Sequence, residues 1–220
     1  MFKLIFKPLT NWAAHRVLVG RNRSPHEPEK GRFTNAEVND LVKQAWRHLD
    51  DLIPQVIQEP TFGSRMNIRL AGLSLAFLHI VTERGIEREY AIELTGDVCW
   101  KIYQWWGVVG RFAQSVLHVD AIRDQARRVR SDGSWPISFP FNPPGYRTRY
   151  VPTEQGLGFD VIRCPVAEYL RAHGAADLGV RTWCMLDYPL AEMQGIRLVR
   201  TQTLAAGDKQ CDFRWFRATK

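Results

Sequence analysis

The sequence predicts an α+β fold, with a helical N-terminal half packed with a small antiparallel sheet in the C-terminal half. Three observations carry this. Apolar residues recur at helical spacing through long segments of the first half. Residues 131–149 (SDGSWPISFPFNPPGYRTR) then interrupt that pattern with four Pro and two Gly. Beyond them lie short stretches rich in β-branched and aromatic residues, separated by turn residues.

At the N-terminus, Phe2, Ile5, Phe6, Leu9 and Trp12 fall at helical spacing, with Lys3 and Lys7 elsewhere. Pro8 is expected to break a helix begun at Phe2. Residues 1–20 are read as a packing segment or a contact with a membrane surface or partner. Residues 21–32 (RNRSPHEPEKGR) read as a linker, so residues 1–33 form an N-terminal segment and linker before a domain at 34–220. On this reading the segment is dispensable for the fold of the domain.

Thr34 and Glu37 form the capping-box pattern. Val38, Leu41, Val42, Ala45, Leu49, Leu52 and Ile53 follow at helical spacing, which predicts an amphipathic helix ended or kinked by Pro54. A second helix is expected over 64–83, apolar nearly all round and therefore buried, with His79 as a satisfied core residue. A third runs over 87–106, interrupted at Gly107 and Gly110. Later, 158–164 reads as a strand and Pro165 starts a helix that ends at Gly174. A short helix is expected over 181–193, then strands over 196–204 and 211–216 about a turn at 206–209, with Cys211, Phe213 and Trp215 on one face of the last strand, read as core.

The formal net charge is +7, yet the bases are scattered. The densest run, 123–130, contains Asp124 and reads as a solvated helical face, so a nucleic-acid partner is not expected. No apolar run reaches the roughly 20 residues of a bilayer span. There is no Walker loop, no GxGxxG and no GxSxG, which removes support for nucleotide-binding and serine-hydrolase readings. The four cysteines, at 99, 164, 184 and 211, form no CxxC pair. With no convincing leader they are expected reduced, in a cytoplasmic protein.

The ordered series Phe159-Asp160-Val161-Ile162-Arg163-Cys164-Pro165, Glu168-Tyr169, Cys184, Asp187-Tyr188, Ala191-Glu192, Thr201-Gln202-Thr203-Leu204, Gly207-Asp208 and Cys211-Asp212-Phe213-Arg214 resembles the L-2-amino-thiazoline-4-carboxylic acid hydrolase family. The resemblance covers about residues 60–216 and is most specific over 158–216. It implies hydrolytic opening of a cyclic isothiourea-like ring to give a carbamoyl-cysteine. The Cys, Glu and final Cys-x-Phe pattern is also similar to small-molecule-binding domains of the vinyl-reductase type, which need not hydrolyse anything. A small-molecule partner is therefore expected on either reading, and a homo-oligomer is compatible with both.

Such chemistry needs a nucleophile, an acid/base group and a cation for the substrate carboxylate. Cys164 stands just before the helix start at Pro165, where the helix N-terminus favours thiolate. Glu168 is one turn on. Cys184 and Asp187 are spaced to share a helix face. Cys164, Glu168, Cys184 and Asp187 are thus the catalytic candidates, and Arg163, Arg214 and Trp183 the substrate-binding ones. Each has a plain alternative: packed thiols, a first-turn Glu on the helix dipole, and a surface pair between Asp212 and Arg214. If Cys164, Cys184 and Cys211 converge with a carboxylate, a divalent metal such as zinc is the cofactor they suit.

Overall fold

The computed structural model describes residues 2–53, 59–117 and 145–218. The expectations for Pro54 and for the basic run 123–130 lie outside them, as does most of the crossover. The chain divides into two compact units: residues 1–56 with 69–103, and residues 57–68 with 104–220.

In the first unit, α1 (Phe2–Leu18) packs against α2 (Asn35–Leu52). The helix passes through Pro8 without ending there. Proline removes the bond its N–H would make to the carbonyl of Leu4. Pro8 and Leu4 both lie on the exposed face, where that carbonyl can be solvated. The opposite face holds the helix in place. Phe6, Ala13, Ala14 and Leu18 are buried there, Phe2 meets Trp46 with ring centroids 5.8 Å apart, and His15 bridges Asn35 and Asn39.

Residues 21–32 form a closed loop. Asn22 bridges Arg32, and Arg21 reaches Asp97, Glu93 and the Tyr90 hydroxyl. Truncating Phe6 to Ala should therefore cost about 3–5 kcal/mol, as for a buried aromatic. Chemical denaturation should read it as a lowered midpoint, whereas a dispensable segment would leave the midpoint unmoved.

Thr34 caps α2 as the sequence predicts. Its hydroxyl accepts from the Glu37 backbone and the Glu37 carboxylate accepts from the Thr34 N–H. The predicted apolar face of α2 is buried from Val38 to Leu52, while Ile53 at its C-terminal end is only partly buried. His79, on α3 (Phe62–Glu83), is hydrogen-bonded to His48 at 3.0 Å.

The helix α4 (Arg88–Leu117) continues through Gly107 and Gly110, where interruption was expected. One glycine costs a helix only about 1 kcal/mol. At Gly107 the missing side chain leaves room for Met193, whose methyl would stand 2.7 Å from an added Cβ.

In the second unit four strands form one antiparallel sheet in the order β1-β2-β4-β3. They are β1 (Arg147–Val151), β2 (Leu157–Arg163), β3 (Ile196–Val199) and β4 (Cys211–Arg217). β1 comes from a stretch read as crossover, because its bases and Thr give no alternation of apolar residues. β3 is shorter than expected: after Val199 the chain leaves the sheet, and Asp212 accepts hydrogen bonds from the backbone of Thr201 and Gln202. Gly156, at φ +92°, makes the turn between β1 and β2, and an added Cβ would meet the Trp215 carbonyl at 2.1 Å.

One sheet face forms the core expected for β4. Phe159 stacks on Phe213 at 4.9 Å, and Cys211 is buried beside them. Helix α5 (Pro165–Ala172) buries Val166, Tyr169 and Leu170. The segment expected as one helix over 181–193 is in two parts. A π-helical turn (Gly179–Cys184) comes first, then α6 (Asp187–Met193).

Candidate functional site

Cys164, Cys184 and Cys211 are brought together by three different elements of the second unit. Cys164 caps α5, its sulfur accepting from the Ala167 N–H at 3.4 Å. Cys184 ends the π-helical turn, and its sulfur is 3.2 Å from the Thr203 hydroxyl. Cys211 opens β4, donates to the same hydroxyl at 3.6 Å and accepts from the Leu204 N–H at 3.2 Å. All four cysteines are free thiols.

The helix start does not activate Cys164. Burial pushes its thiol up to about 12 and outweighs the bond from the Ala167 N–H, with Cys211 and Cys184 adding to the rise. Burial likewise pushes Cys184 up to about 11 against the Thr203 hydrogen bond, and raises Cys211. Desolvation of a thiolate thus exceeds the pull of one helix terminus. Near neutral pH the three sulfurs are thiols.

Two consequences are measurable. Cys164 in the folded chain should alkylate about a thousandfold more slowly than a model thiol of pKa 9.0, because the reactive fraction scales with thiolate. The four should react freely once the chain is unfolded. The raised thiols also weaken the fold in alkali. Between the ordinary thiol pKa and the raised one the unfolded chain gives up protons that the folded chain keeps, so stability should fall as pH rises past about 9. A melting temperature constant from pH 8 to 10.5 would contradict both thiol positions.

The charged part of the site is an ion pair between Asp187 and Arg200. Arg200 is 3 % exposed and Asp187 34 %. Arg200 Nη1 donates to Asp187 Oδ2 at 2.7 Å, and its Nη2 donates to the Cys184 carbonyl at 2.6 Å. The guanidinium also lies over the rings of Phe213 and Tyr188, 5.0 and 5.3 Å from their centroids. Tyr188 in turn donates to the Arg200 carbonyl.

Desolvation raises the Asp187 pKa and outweighs Arg200, which pulls it down. The loop carrying Arg200 and Thr203 is braced by Asp212 and by Asp208, which accepts from the Thr203 N–H. Burial works against charge on Asp212, but the hydrogen bonds from Thr201 and Gln202 prevail and hold its pKa below the ordinary range.

Cys184 and Asp187 are neighbours, and Arg200 ties the carbonyl of the first to the carboxylate of the second. Glu168 is placed apart from them. It meets Arg163 at 2.7 Å, and Arg163 grips the buried Glu59 through both nitrogens at 2.7 and 3.1 Å. Gly145 lets the chain pass here: an added Cβ would stand 2.4 Å from Ser64 Oγ.

Arg214 pairs with the buried Asp160 at 3.0 Å, not with Asp212, and Arg149 meets the same carboxylate at 2.8 Å. Arg163 and Arg214 thus each already hold a carboxylate of the protein. Trp183 is half-buried in the π-helical turn, next to Cys184.

Sequence reasoning missed Arg200, Thr203 and Glu59. The first two sit in or beside the quoted Thr201–Leu204 segment, so their sequence neighbourhood was visible though their roles were not. Among the described residues no three His, Cys, Asp or Glu side chains are grouped to hold a metal ion. Cys184 and Cys211 share the Thr203 hydroxyl, while Cys164 takes the Ala167 N–H.

No curated protein and no solved structure matches the chain. Residues 118–215 match the family model of L-2-amino-thiazoline-4-carboxylic acid hydrolase, the family that the C-terminal motifs of this sequence resemble.

Proposed function

We propose that this chain is a hydrolase that opens a small cyclic isothiourea or amidine carboxylate, with Asp187 as its acid/base group. The observation that carries the reading is the state of Asp187. It is partly exposed, held through one oxygen by a buried arginine, beside a thiol, with its pKa raised. A carboxylate so placed is a better base than an ordinary aspartate and keeps a fixed orientation. The match over residues 118–215 supports the reaction class.

The raised thiols favour water over cysteine as nucleophile. Water oxygen bonds to the ring carbon between nitrogen and sulfur, and the carbon–sulfur bond breaks. One water proton ends on the ring nitrogen and the other on the released sulfur, with Asp187 as carrier. Cys184 and Trp183 then serve as walls of the site.

A second reading has its own support. Three protonated, packed thiols and two arginines already paired with protein carboxylates also describe a ligand-binding module without turnover. Incubation with 2-amino-thiazoline-4-carboxylate separates the two. A hydrolase releases one new free thiol per substrate opened, while a binding module protects the fold against heat without releasing thiol.

A further inference from the structure

We infer that α1 is a docking helix for an anionic lipid surface, lying in the headgroup boundary on its outer face. The helix has two apolar faces. Phe6, Thr10, Ala13, Ala14 and Leu18 are buried within the first unit. Opposite them, Ile5, Pro8 and Trp12 recur at spacings of three and four, with Leu4 one turn before Pro8, and Val19 follows just past the helix end. These side chains are left in solvent: Leu4 is 80 % exposed, Ile5 46 %, Trp12 39 % and Val19 37 %. An isolated exposed leucine needs no explanation, but four exposed apolar residues on one helical face do.

Charge selects the occupant. Lys7 and Arg16 are exposed on the same helix, and Lys101 holds its ammonium 5.8 Å from the Trp12 ring centroid. Lys3 is held by Asp50. The helix has no acidic residue, and the whole chain carries +7. A second copy of this chain would bring the same positive charges against the face. A bilayer rich in anionic lipid presents the complementary charge, with apolar depth for Leu4 and Ile5 and an interfacial level suited to Trp12. No helix of the described residues is long and apolar enough to cross a membrane, so the contact is peripheral.

The test is co-sedimentation of the full chain with vesicles of phosphatidylcholine alone or mixed with phosphatidylglycerol. Binding should require phosphatidylglycerol and weaken as salt rises. Replacing Lys7 and Arg16 with alanine should lower the partition coefficient by about fivefold per base. The pair Leu4→Glu and Trp12→Glu should abolish binding at the cost of the Trp12 contact with Lys101, while Leu4→Glu alone should weaken binding with the thermal melt unchanged, since Leu4 is 80 % exposed.

Equal pelleting on both vesicles, or none on either, overturns the inference. So does a concentration-dependent dimer in sedimentation velocity that the Leu4→Glu, Trp12→Glu pair dissolves, because a second copy would then cover the face. Loss of binding on Phe112→Glu alone, with α1 intact, would also overturn it. Phe112 belongs to a separate exposed stripe on α4, with Trp105, Val108 and Val116.

Discussion

Replacing Asp187 with Asn should lower the rate of ring opening by about 10²–10⁴-fold, the usual worth of a positioned acid/base group. The amide keeps the shape and can still accept from Arg200, so the substrate pocket should survive better than the rate. The pH profile makes the test specific. Because desolvation raises the Asp187 pKa, the acid limb of kcat/KM should lie above that of an ordinary aspartate. Arg200 pulls that pKa down, so Arg200→Gln should move the limb to higher pH still. A residue that merely packs would change stability without moving the limb. In contrast, Cys164→Ser should leave most of the turnover if water is the nucleophile. A loss of orders of magnitude in Cys164→Ser, with Asp187→Asn active, would reverse the assignment.

Glu59→Ala should destabilise the second unit by about 3 kcal/mol, near the lower end for breaking a buried ion pair. Glu59 is 2 % exposed and Arg163 19 %, so the arginine would be left with only the more exposed Glu168 for its charge. At this chain length the change should appear as a fall of about 6–12 °C in melting temperature. Removing both charges, as Glu59→Leu with Arg163→Met, should cost less than Glu59→Ala alone, because no unpaired charge stays buried. If the double variant is the worse of the two, the contact contributes through packing and hydrogen bonds rather than through charge.

Much of the fold was legible because local patterns agreed with tertiary burial. The capping box at Thr34 and Glu37, the buried face of α2, and the alternation of Cys211 and Phe213 all reappear as read. The failures share a cause. Pro8 and Gly107 disfavour helix locally, but packing on other faces overrides a penalty of a few kcal/mol at most. The strand β1 has no apolar alternation to announce it, since its place is fixed by pairing with β2.

At the site, spacing put Cys184 near Asp187 but gave no sign of Arg200. Their link runs through Arg200, and distance along the chain cannot show such a bridge. The helix start at Pro165 was real, but the thiol's environment is decided by what covers it.

The Glu59–Arg163 clamp also sets an order of events in time. The two residues are 104 positions apart, and residues 57–68 belong to the same compact unit as the sheet. During synthesis, at about 5–20 residues per second, a carboxylate destined for burial must wait about 5–20 s for its arginine to emerge. The second unit therefore cannot close segment by segment as it leaves the ribosome. A fragment cut to residues 118–215, where the family match lies, would lack Glu59 and leave Arg163 with Glu168 alone for its charge.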